Sequence, residues 1–218
     1  MLLNLALCLL VFCAVLSVSF ADPKPLTWPA QWSSNFSELA TYPLIGGLNT
    51  TGAFYYDWTN KRYRIDRANG KFDRYCGSAY WFRNTACNQY VVEGKRYIHF
   101  PEKDYCCYCC ASEHGCGVLR PDWVSWGNFS GYVNSTEETP RLLQKWSLPG
   151  LQDNFYYATA DDAAIPYEID QLPNDFIYYK PETFRNTVDP SVFELPKQCS
   201  ADTYCNTIST CTMARNFQ

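Results

Sequence analysis

A mainly β chain with only minor helix, built as a curved antiparallel sheet closing toward a half-barrel or barrel, is the fold class that three features predict. From Gly52 onward, short segments alternate apolar and polar residues, with turn residues recurring about every eight to twelve positions. Aromatic residues make up 17% of the chain, including 17 Tyr and 7 Trp, and such side chains suit a pleated, half-buried surface. No long stretch carries the 3.6-residue period of an amphipathic helix.

The chain opens on an apolar run, Leu2 to Phe20, whose end overlaps Ser19-Phe20-Ala21, and Asp22-Pro23 comes next. The small residues at 19 and 21 fit a signal-peptidase site, which predicts a leader over 1–21 with cleavage after Ala21. The usual basic residue before the run is missing, and an uncleaved membrane anchor is the rival reading. With the leader cleaved, no integral membrane segment is expected, and the polar end after Cys211 predicts no GPI signal. Residues 22–196 are expected to form a single β-rich domain, and 197–218 a cysteine-containing tail. A chain of this size buries roughly 70% of its unfolded surface, so its core does not depend on disulfides alone.

Leu39 to Leu48 reads as an irregular entry segment. Phe54, Tyr56 and Trp58 share one parity, and Thr59-Asn60-Lys61 turns the chain. Tyr63 and Ile65 then alternate with Arg62, Arg64 and Asp66. Asn69-Gly70 is expected to form a tight hairpin turn leading to a return strand from Phe72. Further strands are predicted at Tyr80–Phe82, Tyr90–Val92 and Arg96–Phe100, with Glu93-Gly94-Lys95 as a turn. After a cysteine loop come Phe129–Val133, Leu142–Leu148, Phe155–Thr159 and Ile165–Ile169, with a helical turn expected at Asp161–Ala164. In the last strand Ile165, Tyr167 and Ile169 alternate with Glu168 and Asp170.

Of 12 cysteines, two fall in the leader. The others are Cys76, Cys87, Cys106, Cys107, Cys109, Cys110, Cys116, Cys199, Cys205 and Cys211. An even number behind a leader predicts a disulfide framework, hence an oxidising, secreted or lumenal (lysosome-like) compartment. Adjacent cysteines rarely pair, so the Cys106–Cys110 cluster is expected to reach outward to Cys76, Cys87, Cys116 or the tail. A zinc site using this cluster and His114 is the rival, and no metal is the expectation adopted. Four sequons, at Asn35, Asn49, Asn128 and Asn134, predict a glycoprotein.

Catalytic patterns are weak. Cys76-Gly-Ser-Ala-Tyr-Trp looks like a papain nucleophile segment, but Ala79 stands where the thiol is needed, and both His99 and His114 lie too near. Cys106 and Cys109 match Cys-x-x-Cys without a surrounding βαβ pattern. Asp161-Asp162 and Glu137-Glu138 are neighbours rather than facing pairs, and they lack EF-hand spacing. No catalytic residue, cofactor or enzyme activity is therefore expected. The basic stretch Lys61 to Arg74 is interleaved with Asp66 and Asp73, and the net charge is −4, which argues against nucleic acid as a partner.

Gly52-Ala-Phe-Tyr-Tyr-Asp-Trp, then Lys61-Arg-Tyr-Arg-Ile-Asp-Arg, and an exit at Val192-Phe-Glu-Leu-Pro196 carry a resemblance. They resemble the non-catalytic N-terminal region of the 26/29 kDa and counting-factor-associated papain-type proteases. The strand pattern is also similar to ependymin-related proteins, and the hairpin to a group of uncharacterised secreted protist proteins. The ependymin resemblance implies a LolA-like sheet wrapped around a hydrophobic pocket; Cys-Cys-Tyr-Cys-Cys departs from that pattern. No protease domain follows, so proteolysis is not carried over. The expected function is binding of a hydrophobic, lipid-like ligand by Phe54, Tyr56, Trp58, Tyr63, Ile65, Phe155, Tyr157, Ile165, Tyr167 and Ile169. The same rings could equally fill a core. The alternative function is a disulfide-braced extracellular interaction or structural module, with a papain-type protease as one partner.

Overall fold

Residues 22–42, 46–150 and 152–216 are described by a computed structural model of the chain; the leader expected over 1–21 lies outside them. Eleven strands form one antiparallel sheet: β1 (Gln31–Tyr42), β2 (Gly46–Asp57), β3 (Arg62–Arg67), β4 (Cys87–Val92), β5 (Lys95–Phe100), β6 (Tyr105–Ala111), β7 (Asn128–Asn134), β8 (Leu142–Leu148), β9 (Asn154–Thr159), β10 (Pro166–Gln171) and β11 (Asp175–Tyr179). Their spatial order is β6-β5-β4-β3-β2-β1-β11-β10-β9-β8-β7. Two meanders therefore run outward from a central β1–β11 pair, and the sheet is curved rather than closed. Its curvature follows from Trp28, whose ring lies 5.2 Å from that of Tyr56 on β2 and 6.1 Å from that of Tyr156 on β9. Those strands are four places apart, about 19 Å in a flat sheet.

Alternation sends Trp32, Phe36, Phe54, Tyr56, Tyr63, Val91, Trp146 and Tyr156 onto the concave face, where they form the main core. The N-terminal segment brings Trp28 over that face, where its indole N–H donates to Tyr156 Oη at 2.8 Å. The β6–β7 connection adds Trp123 and Val124. Across β4–β6, a second core is built from Ile98, Phe100 and disulfides.

Several expectations need correction. Leu39–Leu48 is not irregular: its described residues lie on the long β1–β2 hairpin. The inward set of β1 includes Ser34 and Glu38, which hides its alternation in the sequence. Phe72 does not start a return strand. Asp73 instead caps a short helix, α1 (Arg74–Ala79), accepting from the Tyr75 and Cys76 N–H groups, and β4 returns only at Cys87. Gly70 is needed for close approach rather than for a tight turn: a Cβ there would lie 2.6 Å from Cys87 Cβ and 2.7 Å from Cys76 Cβ. Residues 80–82 turn, with Trp81 and Phe82 left-handed. By contrast, Glu93-Gly94 supplies the two positive φ angles of a tight hairpin, as its sequence predicts.

The cysteine run is a strand rather than a loop. Cys106, Cys107 and Cys109 of β6 bond Cys199, Cys205 and Cys211 of the tail, Cys110 bonds Cys116, and Cys76 bonds Cys87. The cluster does reach outward, and all ten cysteines among the described residues are in disulfides, leaving no thiolate for zinc. Tail and edge also share backbone bonds: Tyr108 N–H donates to Thr203 O at 2.6 Å and Cys205 N–H to Tyr108 O at 3.0 Å. A second helix, α2 (Thr210–Asn216), packs on β6 and α1. Among the described residues, no helix is long and apolar enough to cross a membrane.

Candidate functional site

On the concave side, the sheet and the β6–β7 connection line a half-open cavity of about 720 Å³. Phe54, Tyr56, Tyr63, Ile65, Ile169 and Ile177 project into it because they share the inward parity of β2, β3, β10 and β11. Val118, Leu119, Trp123 and Trp126 roof it, and Trp126 remains 54% exposed. One end is polar: Arg67, Asp73, Gln89, Arg96 and Asp175 line it.

That polar end is wired from four strands and a helix cap. Arg67 Nε and Nη2 donate to the Glu38 carboxylate at 2.5 and 3.1 Å, and Asp73 stands 3.4 Å away. Burial alone would lower the Arg67 guanidinium, but the charges of Asp73 and Glu38 raise it above its ordinary value. The Asp175 carboxyl is pushed up to about 8, first by burial and then by the Glu38 charge, so it is mostly neutral at pH 7. Gln89 Nε2 donates to Asp73 Oδ1 at 2.9 Å.

The ten ligand candidates divide. Phe54, Tyr56, Tyr63, Ile65 and Ile169 border the cavity, whereas Phe155, at its margin, packs its ring with Tyr157 and Leu143 on the opposite face. Tyr56 is fully buried and donates to the Leu119 carbonyl at 2.8 Å; burial raises its hydroxyl pKa. Trp58 lies in the β2–β3 turn under Lys61 Nζ, 3.0 Å from its ring centre, and packs against the main core. Ile165 precedes β10 and donates its N–H to Thr159 Oγ1.

Tyr157 and Tyr167 face the other way, with Leu143, into a convex-side cleft of about 650 Å³. A register shift between Pro166 and Glu168 inserts Tyr167 as an extra residue, so Tyr167 and Ile169 do not share a face despite their spacing. Beside them, Tyr157 Oη donates to Asp170 Oδ2 at 3.0 Å, and Glu168 is pushed up to about 8 by burial and then by Asp170.

Sequence reasoning missed Arg67, Arg96, Trp28, Trp123 and Ile177. The signal for the arginines was present: Arg67 continues the parity of Tyr63 and Ile65, and Arg96 that of Ile98 and Phe100. The four sequon asparagines are all exposed, on β1, β2 and β7 rather than on loops. The basic stretch forms cross-strand pairs, Arg62 with Asp57 at 2.8 Å and Arg67 with Glu38, and Arg64 pairs with Asp66. The segment from Val192 docks on it, through Arg64 Nη1 to Val192 O at 2.8 Å and Arg62 over the Phe193 ring.

No family model and no curated protein sequence matches this chain. Among solved structures, it is similar to an uncharacterized conserved protein from Thermus thermophilus (TM-score 0.46, 10% identity, 79% of this chain and 90% of that one). It is also similar to a LolA superfamily protein from Nitrosomonas europaea (TM-score 0.34, 7% identity, 79% and 93%). A putative outer membrane lipoprotein-sorting protein domain from Vibrio parahaemolyticus is a third (TM-score 0.33, 5% identity, 76% and 89%). At these scores, function has to be read from this chain's own cavity.

Proposed function

We propose that this chain is a secreted or lumenal, lysosome-like glycoprotein that binds a hydrophobic, lipid-like ligand in its concave cavity. One observation carries the reading: a half-open space of about 720 Å³ whose wall is mainly aromatic and aliphatic away from its polar end, inside the usual range for small-molecule sites. Binding would come from apolar burial, about 25 cal/mol for each Å² withdrawn from water. Five disulfides support an oxidising compartment. The exposed sequons support glycan attachment.

The test is mass spectrometry of gently purified protein, native and then solvent-extracted. A stoichiometric lipid lost on extraction is the expected result, and Ile169→Asp should abolish its retention without unfolding the sheet. Protein that stays empty after incubation with lipids would sink the proposal.

A further inference from the structure

Two buried guanidiniums line the polar end of the cavity, and they are not equivalent. Arg67 is held by Glu38 and Asp73, as described above. Arg96, 7% exposed, makes no ion pair among the described residues, and its Nε is buried without a hydrogen-bond partner. Two rings flank its charge: the guanidinium carbon is 4.3 Å from the Tyr75 ring centre and 5.7 Å from that of Tyr63. Arg74, also without an ion pair among the described residues, lies 5.1 Å from the same Tyr75 ring. Two cations thus share one aromatic ring, with no anion on either. A buried charge in that condition is costly, and cation–π contact offsets only part of the cost.

We propose that Arg96 binds the anionic head of the ligand, a fatty-acid carboxylate whose tail lies along the wall of Phe54, Ile65 and Ile169. The inference rests on the hydrophobic-ligand reading and narrows it. A guanidinium presents a planar fork that matches a carboxylate in two parallel hydrogen bonds. A single negative charge suits the site, because Glu38 and Asp73 already bring two to Arg67 and a doubly charged head would add to that repulsion. Burial and the Glu38 charge push the Asp175 carboxyl up, which favours its neutral form and disfavours a third charge at the same end.

The experiment titrates the full-length protein with oleate, and separately with oleyl alcohol, following tryptophan fluorescence. Oleate should bind about ten- to a hundredfold more tightly, the range expected for hydrogen bonds to a charged group. Arg96→Gln should erase that preference and leave oleyl alcohol binding unchanged. If Arg96→Gln does not fold, Arg96→Lys carries the test: oleate alone should weaken, and equal loss for both probes would count against the assignment. Equal affinity of the unaltered protein for both probes, or a preference that survives Arg96→Gln, would overturn the head-group assignment while leaving the apolar cavity standing. Binding of neither probe would overturn both readings.

Discussion

The wing from β1 to β6 and the wing from β7 to β11 protect their outer edges by different means. All five disulfides lie in the first, where three bridges and a short run of backbone bonds hold the tail along β6. The second contains no cysteine. It is held by aromatic packing and buried polar contacts, and among the described residues its edge strand β7 pairs only with β8. That free edge carries sequons at both ends, Asn128 and Asn134, and its side chains alternate between exposed and half-buried. An unpaired edge invites pairing with other chains unless something blocks it. One wing uses its own chain for that purpose. For the other we propose glycans.

The largest effect should come from cutting the covalent brace. The three tail bridges together close one long loop, with separations of 93, 98 and 102 residues, so Ser at all six of their cysteines should remove about 4–5 kcal/mol or more. Hydrogen exchange should then speed up in β5 and β6 well before β8 to β10. Uniform loss of protection would mean that the two wings form one cooperative unit and that the contrast is superficial.

Next comes the buried pair near the seam. Arg67→Met leaves Glu38 and Asp73 uncompensated and should cost on the order of 3 kcal/mol in denaturant unfolding. A smaller effect, about 2 kcal/mol, is expected for Gly70→Ala, because the added methyl must displace the Cys76–Cys87 bridge. A neutral Gly70→Ala would show that the brace is looser than its packing implies.

Acid should move the wings in opposite directions. Asp175 and Glu168, raised to about 8, bind protons more tightly folded than unfolded. Their stabilisation is complete below about pH 4 and is lost as pH rises toward 8. His99 on β5 is lowered, first by burial and then by the Arg64 charge. Its contribution is present above about pH 6.5 and is lost as pH falls through its lowered value. Between pH 7.5 and 5.5, exchange corrected for intrinsic rates should slow in β10 and β11 and quicken in β5. Asp175→Asn with Glu168→Gln should flatten the first response only. The smallest effect on stability, within about 0.5 kcal/mol, is expected for Asn128→Gln with Asn134→Gln. Those substitutions should nevertheless hasten association of the protein by light scattering. Unchanged scattering would remove glycans as the guard of β7.

Local alternation made the strands from Phe54 to Ile65, Tyr90 to Phe100 and Leu142 to Thr159 legible, because each buries one face and period two is written directly into the residues. The cysteine content likewise announced disulfides. The sequence by itself thus determined a mainly β, disulfide-braced chain. Tertiary structure decided the rest. The inward Glu38 of β1 makes sense only beside Arg67, 29 residues away. The cysteine run looks like a loop until the tail is laid against it. Tyr167 and Ile169 look like one face until a bulge separates them. The cavity's polar end likewise draws Arg67, Arg96 and Asp175 from strands scattered along the chain. The physical reason is common to all four: partners of a buried charge, a bridge or a bulge are set by register between distant strands, and no local period records it.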